Sequence, residues 1–122
     1  MLKYNYMKKL VTIMIPAYNE EKSLPKLFKR LNLLAKNTSK YDFEFLFIND
    51  GSKDKTMEII RNESEKDSRV SYINLSRNFG KENAMLAGFD YAKGDALVII
   101  DADLQDPPEL IPAMLSLWEE GY

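Results

Sequence analysis

Short apolar runs alternate with stretches of helical periodicity along the chain. Residues 10–15, 43–48, 70–75 and 96–100 are rich in β-branched, aromatic and other apolar side chains, and a polar cluster follows each run. Between them, Leu24, Leu27, Phe28, Leu31 and Leu34 recur at helical spacing. Met57, Ile59 and Ile60 do the same within 55–68, as do Ala84, Met85, Gly88 and Phe89 within 81–92. A fourth helix is expected over 108–120, through Leu110, Ile111, Met114, Leu115, Leu117 and Trp118. Pro16 is expected to stop the first strand, Pro25 lies in the first turn of the first helix, and Asn19 or Ser23 is placed to cap it. Strands alternating with helices predict right-handed crossovers, and therefore an open, mostly parallel α/β sheet with helices on both faces.

In such sheets ligands bind outside the carboxyl ends of the strands. The four polar clusters occupy those ends: residues 16–21, 49–52, 76–81 and 101–108. The last is the most specific. Asp101 and Asp103 follow a strongly apolar run and, spaced i, i+2, face nearly the same side, with Gln105 continuing the series as a neutral oxygen donor. Two neighbouring carboxylates repel unless a cation joins them, and hard divalent ions take oxygen ligands. The cluster therefore points to a divalent cation holding phosphate oxygens. The competing reading is a solvated acidic turn.

Asp50 can accept a hydrogen bond from a base N–H or a ribose hydroxyl, Glu20 can do so for a ribose, and Tyr18 offers a flat face or a hydroxyl. Taken singly, Asp50-Gly51 is also a common turn dipeptide and Glu20 a favourable charge at a helix start. Arg77 and Lys81 are candidates for contact with phosphate, or else ordinary surface charges.

Composition narrows the chemistry. The 122 residues are 45% apolar, enough for one core, and 17 basic residues nearly balance 19 acidic ones, which disfavours a nucleic-acid partner. With no Cys and no His, thiolate or imidazole catalysis is excluded within this chain. No apolar stretch is long enough to span a membrane or to act as a signal peptide, so the chain is expected to be soluble. Residues 1–9 are expected to form an N-terminal extension.

Four segments, in order, carry a resemblance: Pro16-Ala17-Tyr18-Asn19-Glu20-Glu21, Asn49-Asp50-Gly51-Ser52-Lys53-Asp54, Ser76-Arg77-Asn78-Phe79-Gly80-Lys81 and Asp101-Ala102-Asp103-Leu104-Gln105-Asp106-Pro107-Pro108-Glu109. Together they resemble the family 2 glycosyltransferases, whose fold is the Rossmann-like GT-A type, and in particular the bacterial branch similar to dolichyl-phosphate mannose synthase, the polyprenyl-phosphate sugar transferases. The resemblance implies that Pro16, Ala17, Tyr18, Glu20, Asp50 and Gly51 bind the nucleotide. It implies that Asp101, Asp103 and Gln105 bind Mg²⁺ or Mn²⁺, with the two aspartates catalytic. Family members often carry an acidic residue where Asn49 stands.

The reaction implied is metal-dependent inverting transfer of a hexose from a UDP- or GDP-linked donor to a polyprenyl phosphate. A related transferase acting on a saccharide hydroxyl in wall or capsule polymer is the alternative, and a non-enzymatic phosphoacceptor signalling domain is a remote one. Gly121 at the end of the last helix predicts a further strand. The resemblance thus implies that residues 10–122 are the donor-binding part of a longer enzyme, truncated at the C-terminus and without its acceptor part. On its own this part is expected to bind nucleotide at best. The whole protein is expected at the cytoplasmic face of the plasma membrane, attached through segments absent here.

Overall fold

The computed structural model describes residues 8–105 and 107–121. Of the expected extension only Lys8 and Lys9 fall among them, and Asp106 and Tyr122 lie outside the described residues. Four strands, β1 (Leu10–Ala17), β2 (Asp42–Asn49), β3 (Val70–Asn74) and β4 (Ala96–Ile99), alternate with α1 (Leu24–Asn37), α2 (Thr56–Lys66) and α3 (Lys81–Tyr91). A 3-10 turn at Pro108–Leu110 then leads into α4 (Ile111–Glu119). The strands form one parallel sheet in the order β3-β2-β1-β4.

Topology distributes the helices. The chain steps outward from β1 to β2 to β3, placing α1 and α2 on one face, and then returns to the far side of β1. A right-handed crossover in that reverse direction must pass over the opposite face, and α3 does so. Val11, Ile13, Ile15, Phe43, Phe45 and Phe47 meet α1, α2 and α4 on the first face, where Leu24, Leu27, Leu31, Ile60, Ile111 and Leu115 are buried. Met14, Leu46 and Ile48 meet Ala84 of α3 on the second. Coverage on both faces explains why β1 and β2 read as continuous apolar runs instead of alternating ones.

Some expectations shift. Pro16 does not stop β1, which continues to Ala17 with Pro16 opposite Ile48. The Met14 carbonyl accepts the Ile100 N–H on the β4 side, and Pro16, two residues on, faces the same way. Pairing with β4 ends at Met14, so the missing N–H of Pro16 interrupts no ladder.

Phe89, expected inside, is 47% exposed. The buried stripe of α3 is instead Ala84 and Gly88. A Cβ on Gly88 would lie 2.1 Å from the Met14 sulfur. Glycine costs a helix about 1 kcal/mol relative to alanine, which is small beside the roughly 1.5–3 kcal/mol for each large apolar side chain that close approach helps to bury. The helix starting at Lys55 begins at Thr56, and the helix starting at Pro108 opens as a 3-10 turn. Ser23 does occupy the N-cap of α1, but its hydroxyl donates to the Glu20 carbonyl and carboxylate and caps no helix N–H.

Candidate functional site

β1 pairs with β2 on one side and β4 on the other, so the sheet's order reverses between β1 and β4, and in open α/β sheets that reversal opens a crevice. A cavity of about 350 Å³ lies there, lined by Pro16, Ala17, Tyr18, Glu20, Asp50, Lys81, Asp101, Ala102, Asp103 and Gln105. Segments 85 positions apart in sequence therefore share one hollow. Of the residues singled out in the sequence, Gly51 and Arg77 are not in its lining. The Arg77 guanidinium stacks over the Phe79 ring at 4.6 Å. Gly51 instead permits a close crossing: at φ 69° it passes so near residues 77–78 that a Cβ would lie 2.2 Å from the Arg77 carbonyl carbon.

Asp50 is 3% exposed. Its Oδ1 accepts the Phe79 N–H at 2.8 Å, and its Oδ2 accepts the Gly80 N–H at 3.1 Å and the Asn78 amide at 3.2 Å. The carboxylate thus fastens the 76–80 loop to the end of β2, leaving only its remaining acceptor capacity for a ligand. Asn49, where the resembled family often has an acid, donates from its amide to Asn74 Oδ1 at 2.9 Å and accepts the Ser52 N–H at 3.3 Å. A carboxylate could not make the donation.

The loop after β1 is held by the loop after β2. Asn19, at φ 52°, donates its N–H to Ser52 Oγ at 2.9 Å and accepts the Lys53 N–H at 2.8 Å. Thr56, fully buried, accepts the Glu20 N–H at 2.8 Å and donates to Asp54 Oδ1 at 2.5 Å. Asp54 also accepts the Glu21 N–H at 3.2 Å. Burial works against the Asp54 charge, but the bonds from Thr56 and Glu21 outweigh it and hold the carboxyl below its ordinary value. Sequence reasoning missed Thr56, Asp54 and Asn78. The signal available for Asp54 and Thr56 was an Asp-X-Thr pair just before a helix.

The turn after β4 is built from less. Asp103 is exposed and its Oδ1 accepts the Gln105 N–H at 3.1 Å, while Asp101 pairs with the Lys81 ammonium. Leu104 adopts φ 68° and packs against the core, anchoring the turn from beneath. Burial pushes the Glu20 carboxyl above its ordinary value; the Ser23 hydroxyl opposes this, and the charges of Asp103, Asp54 and Asp101 add to it.

Four carboxylates, Glu20, Asp50, Asp101 and Asp103, thus face one ammonium, Lys81, across the cavity. That charge balance repels a diphosphate unless a cation enters with it. No group of three or more acidic residues converges as a ready metal cage among the described residues. Mg²⁺, however, is commonly held by one or two carboxylates with water and substrate phosphate completing the shell. Asp101, Asp103 and the Gln105 amide oxygen supply the kind of donors such an ion takes, so the chemistry of the set fits.

The family model described as Glycosyl transferase family 2 matches residues 12–122. An uncharacterized glycosyltransferase of Bacillus subtilis is 52% identical over 111 residues, covering 91% of this chain and 34% of the relative. The undecaprenyl-phosphate 4-deoxy-4-formamido-L-arabinose transferase of Shewanella sediminis is 45% identical over 122 residues, covering 99% and 37%. The chain therefore spans about a third of the length of these curated relatives. Among solved structures, the mannosyltransferase of Pyrobaculum calidifontis in complex with GDP-Man and Mn²⁺ superposes with a TM-score of 0.68 at 22% identity, over 84% of this chain and 34% of that one. Staphylococcus aureus TarS 1–349 in complex with UDP gives 0.71 at 23%, over 89% and 32%. With its parallel sheet, two-sided helical cover and switch-point cavity, the chain has the GT-A fold and belongs to glycosyl transferase family 2.

Proposed function

We propose that the chain forms the nucleotide-sugar-binding part of an enzyme that moves a hexose from a nucleoside diphosphate to a polyprenyl phosphate. The observation that carries this is the cavity at the β1/β4 switch point, where Tyr18, Glu20 and Asp50 stand opposite Asp101, Asp103 and Lys81. The acceptor class is supported by relatives such as the Shewanella sediminis undecaprenyl-phosphate transferase. The same similarity favours it over a saccharide hydroxyl, and membership of a transferase family removes the phosphoacceptor-domain reading.

The nucleoside lies against Pro16, Ala17 and Tyr18, with Glu20 reaching a ribose hydroxyl and Asp50 offering its remaining acceptor capacity to a base N–H. Asp101, Asp103 and Gln105 would hold Mg²⁺ or Mn²⁺, which stabilises the charge developing on a departing nucleoside diphosphate. An acceptor phosphate is already anionic at neutral pH, so its oxygen attacks the anomeric carbon, with inversion, without needing a strong general base. The neighbouring folds hold GDP-Man in one case and UDP in another, and the donor here is a UDP- or GDP-linked hexose. In the whole enzyme the site works at the cytoplasmic face of the plasma membrane. Among the described residues no helix is long and apolar enough to cross a membrane.

Calorimetric titration with UDP and GDP, with and without Mn²⁺, tests the donor site. Metal-dependent binding of one nucleotide, lost in Asp103→Ala, is the expected result. Equal binding by wild type and variant would remove Asp103 from the site. Supplying the full-length enzyme with polyprenyl phosphate or with a saccharide acceptor then separates the two transfer readings.

A further inference from the structure

Lys81 is the first residue of α3, and its ammonium reaches across the cavity to Asp101. Its backbone is set by neighbours that do not move easily. The Gly80 and Phe79 N–H groups are fixed on the buried Asp50 carboxylate, and the Ala84 N–H returns to the Gly80 carbonyl. What remains mobile is a four-carbon stem carrying a point charge, with a side chain 57% exposed, against an Asp101 side chain 30% exposed. A pair this open to water shifts an equilibrium by only about two- to fivefold, so it forms and breaks readily. Asp101 is at the same time one of the two carboxylates suited to a divalent cation. One oxygen pair is thus contested by two cations of different charge.

We propose that Lys81 is an internal, exchangeable cation of the donor site. It neutralises Asp101 while the site holds no ligand, and it releases Asp101 when a divalent cation and a nucleoside diphosphate enter together, carrying its ammonium to the diphosphate. The consequence is coupling. Metal alone must displace Lys81 and binds weakly, and nucleotide alone finds Lys81 already engaged by Asp101. Each ligand removes the obstacle to the other, and by linkage the gain is the same in both directions. This rests on the donor-site function proposed above and adds to it the reason why metal and nucleotide bind as a pair.

The test reads binding and not turnover. Mn²⁺ is titrated into wild type and Lys81→Met, each with and without UDP or GDP, and free Mn²⁺ is followed by its electron paramagnetic resonance signal. Wild type should bind Mn²⁺ weakly alone and about tenfold or more tightly with the matching nucleotide. Lys81→Met should bind Mn²⁺ alone about two- to fivefold tighter than wild type, because a competing like charge is gone, and should gain less from nucleotide. Asp101→Asn supplies an independent arm: with the Asp101 charge no longer holding Lys81, metal-free nucleotide should bind about threefold tighter than in wild type. If wild type couples Mn²⁺ to nucleotide but Lys81→Met binds Mn²⁺ alone no tighter, or Asp101→Asn leaves metal-free nucleotide affinity unchanged, the exchange is wrong while the donor site stands. If wild type takes up no Mn²⁺ with either nucleotide, the metal site falls and the exchange falls with it.

Discussion

Residues 17–21 and 50–56 hold one another through Asn19 with Ser52 and Lys53, Glu20 with Thr56, Glu21 with Asp54 and Ala17 with Asp50. Residues 101–105, on the other side of the same cavity, rest on the bond from Gln105 to Asp103, the Asp101 pair with Lys81 and the inserted side chain of Leu104. The first region is anchored at the buried Ala17, Asp50 and Thr56 and tied together by hydrogen bonds between its two loops; the second is anchored by Ala102 and Leu104, exposes Asp103 and Gln105, and is organised around charge. A rigid wall suits a nucleoside, whose shape is fixed, because ordering is completed on folding and not on binding. A lightly held acidic turn suits a group whose charge must be supplied from outside. On the function proposed above, recognition and charge handling are divided between the two flanks of β1.

The largest way to break this contrast is at Asp50. Asp50→Ala leaves the Phe79 and Gly80 N–H groups facing a buried void without an acceptor, and should cost about 3 kcal/mol in urea denaturation as well as abolish nucleotide binding. Loss of binding at unchanged stability would make Asp50 a pure ligand contact and undo its role as a clamp. Thr56→Val keeps the shape of a fully buried residue but removes both hydrogen bonds of the hydroxyl. It should cost about 2 kcal/mol and weaken nucleotide binding, while any effect of Mn²⁺ itself persists.

A third, smaller effect is acid sensitivity. Because Asp54 titrates below its ordinary value of 3.8, its ionised form stabilises the fold above that pH, and the contribution disappears as pH falls through the folded value. Thr56→Val should therefore flatten the stability profile between about pH 5 and 3. Glu20 has the opposite sign. Its carboxyl is raised, so the fold loses stability as pH rises through its titration, and Glu20→Gln should be slightly more stable than wild type at neutral pH. The smallest effect belongs to the exposed turn: Asp103→Ala should change stability by less than about 0.5 kcal/mol, whatever it does to ligand binding. A large loss there would show that the turn is as structural as the opposite wall.

The sheet was legible because apolar runs and helical spacing report burial, and β1 and β2 are buried on both faces. What escaped was local. Pro16 reads as a breaker, and only the short register of β4 makes it harmless within β1. Phe89 reads as core by size, yet Ala84 and Gly88 form the contact because α3 lies too close to Met14 for anything larger. Among the candidate residues, Tyr18, Glu20, Asp50, Lys81, Asp101, Asp103 and Gln105 stand out by their place at strand ends, and they line one cavity. Arg77 was assigned by the same rule but stacks on Phe79, since position after a strand does not fix the direction of a long side chain. Thr56 and Asp54 act on a loop more than 30 positions away, a pairing no local pattern announces.

The placement of β4 beside β1 also bears on how the chain acquires its shape. β1 meets β2 after a single helical excursion, but it meets β4 only after the chain has gone out to β3 and back, with Leu10 bonded to Asp95 across 85 positions. Closing the longer loop costs somewhat more entropy than joining β1 to β2, and non-local pairing of this kind slows folding in general. The seam it closes runs through the floor of the cavity. An incompletely folded molecule can therefore possess a finished β1–β2 wall and still have no pocket, and a nucleotide that needs both flanks binds only molecules that have completed the last strand. Ligand would then act as a selective stabiliser of the finished topology by mass action.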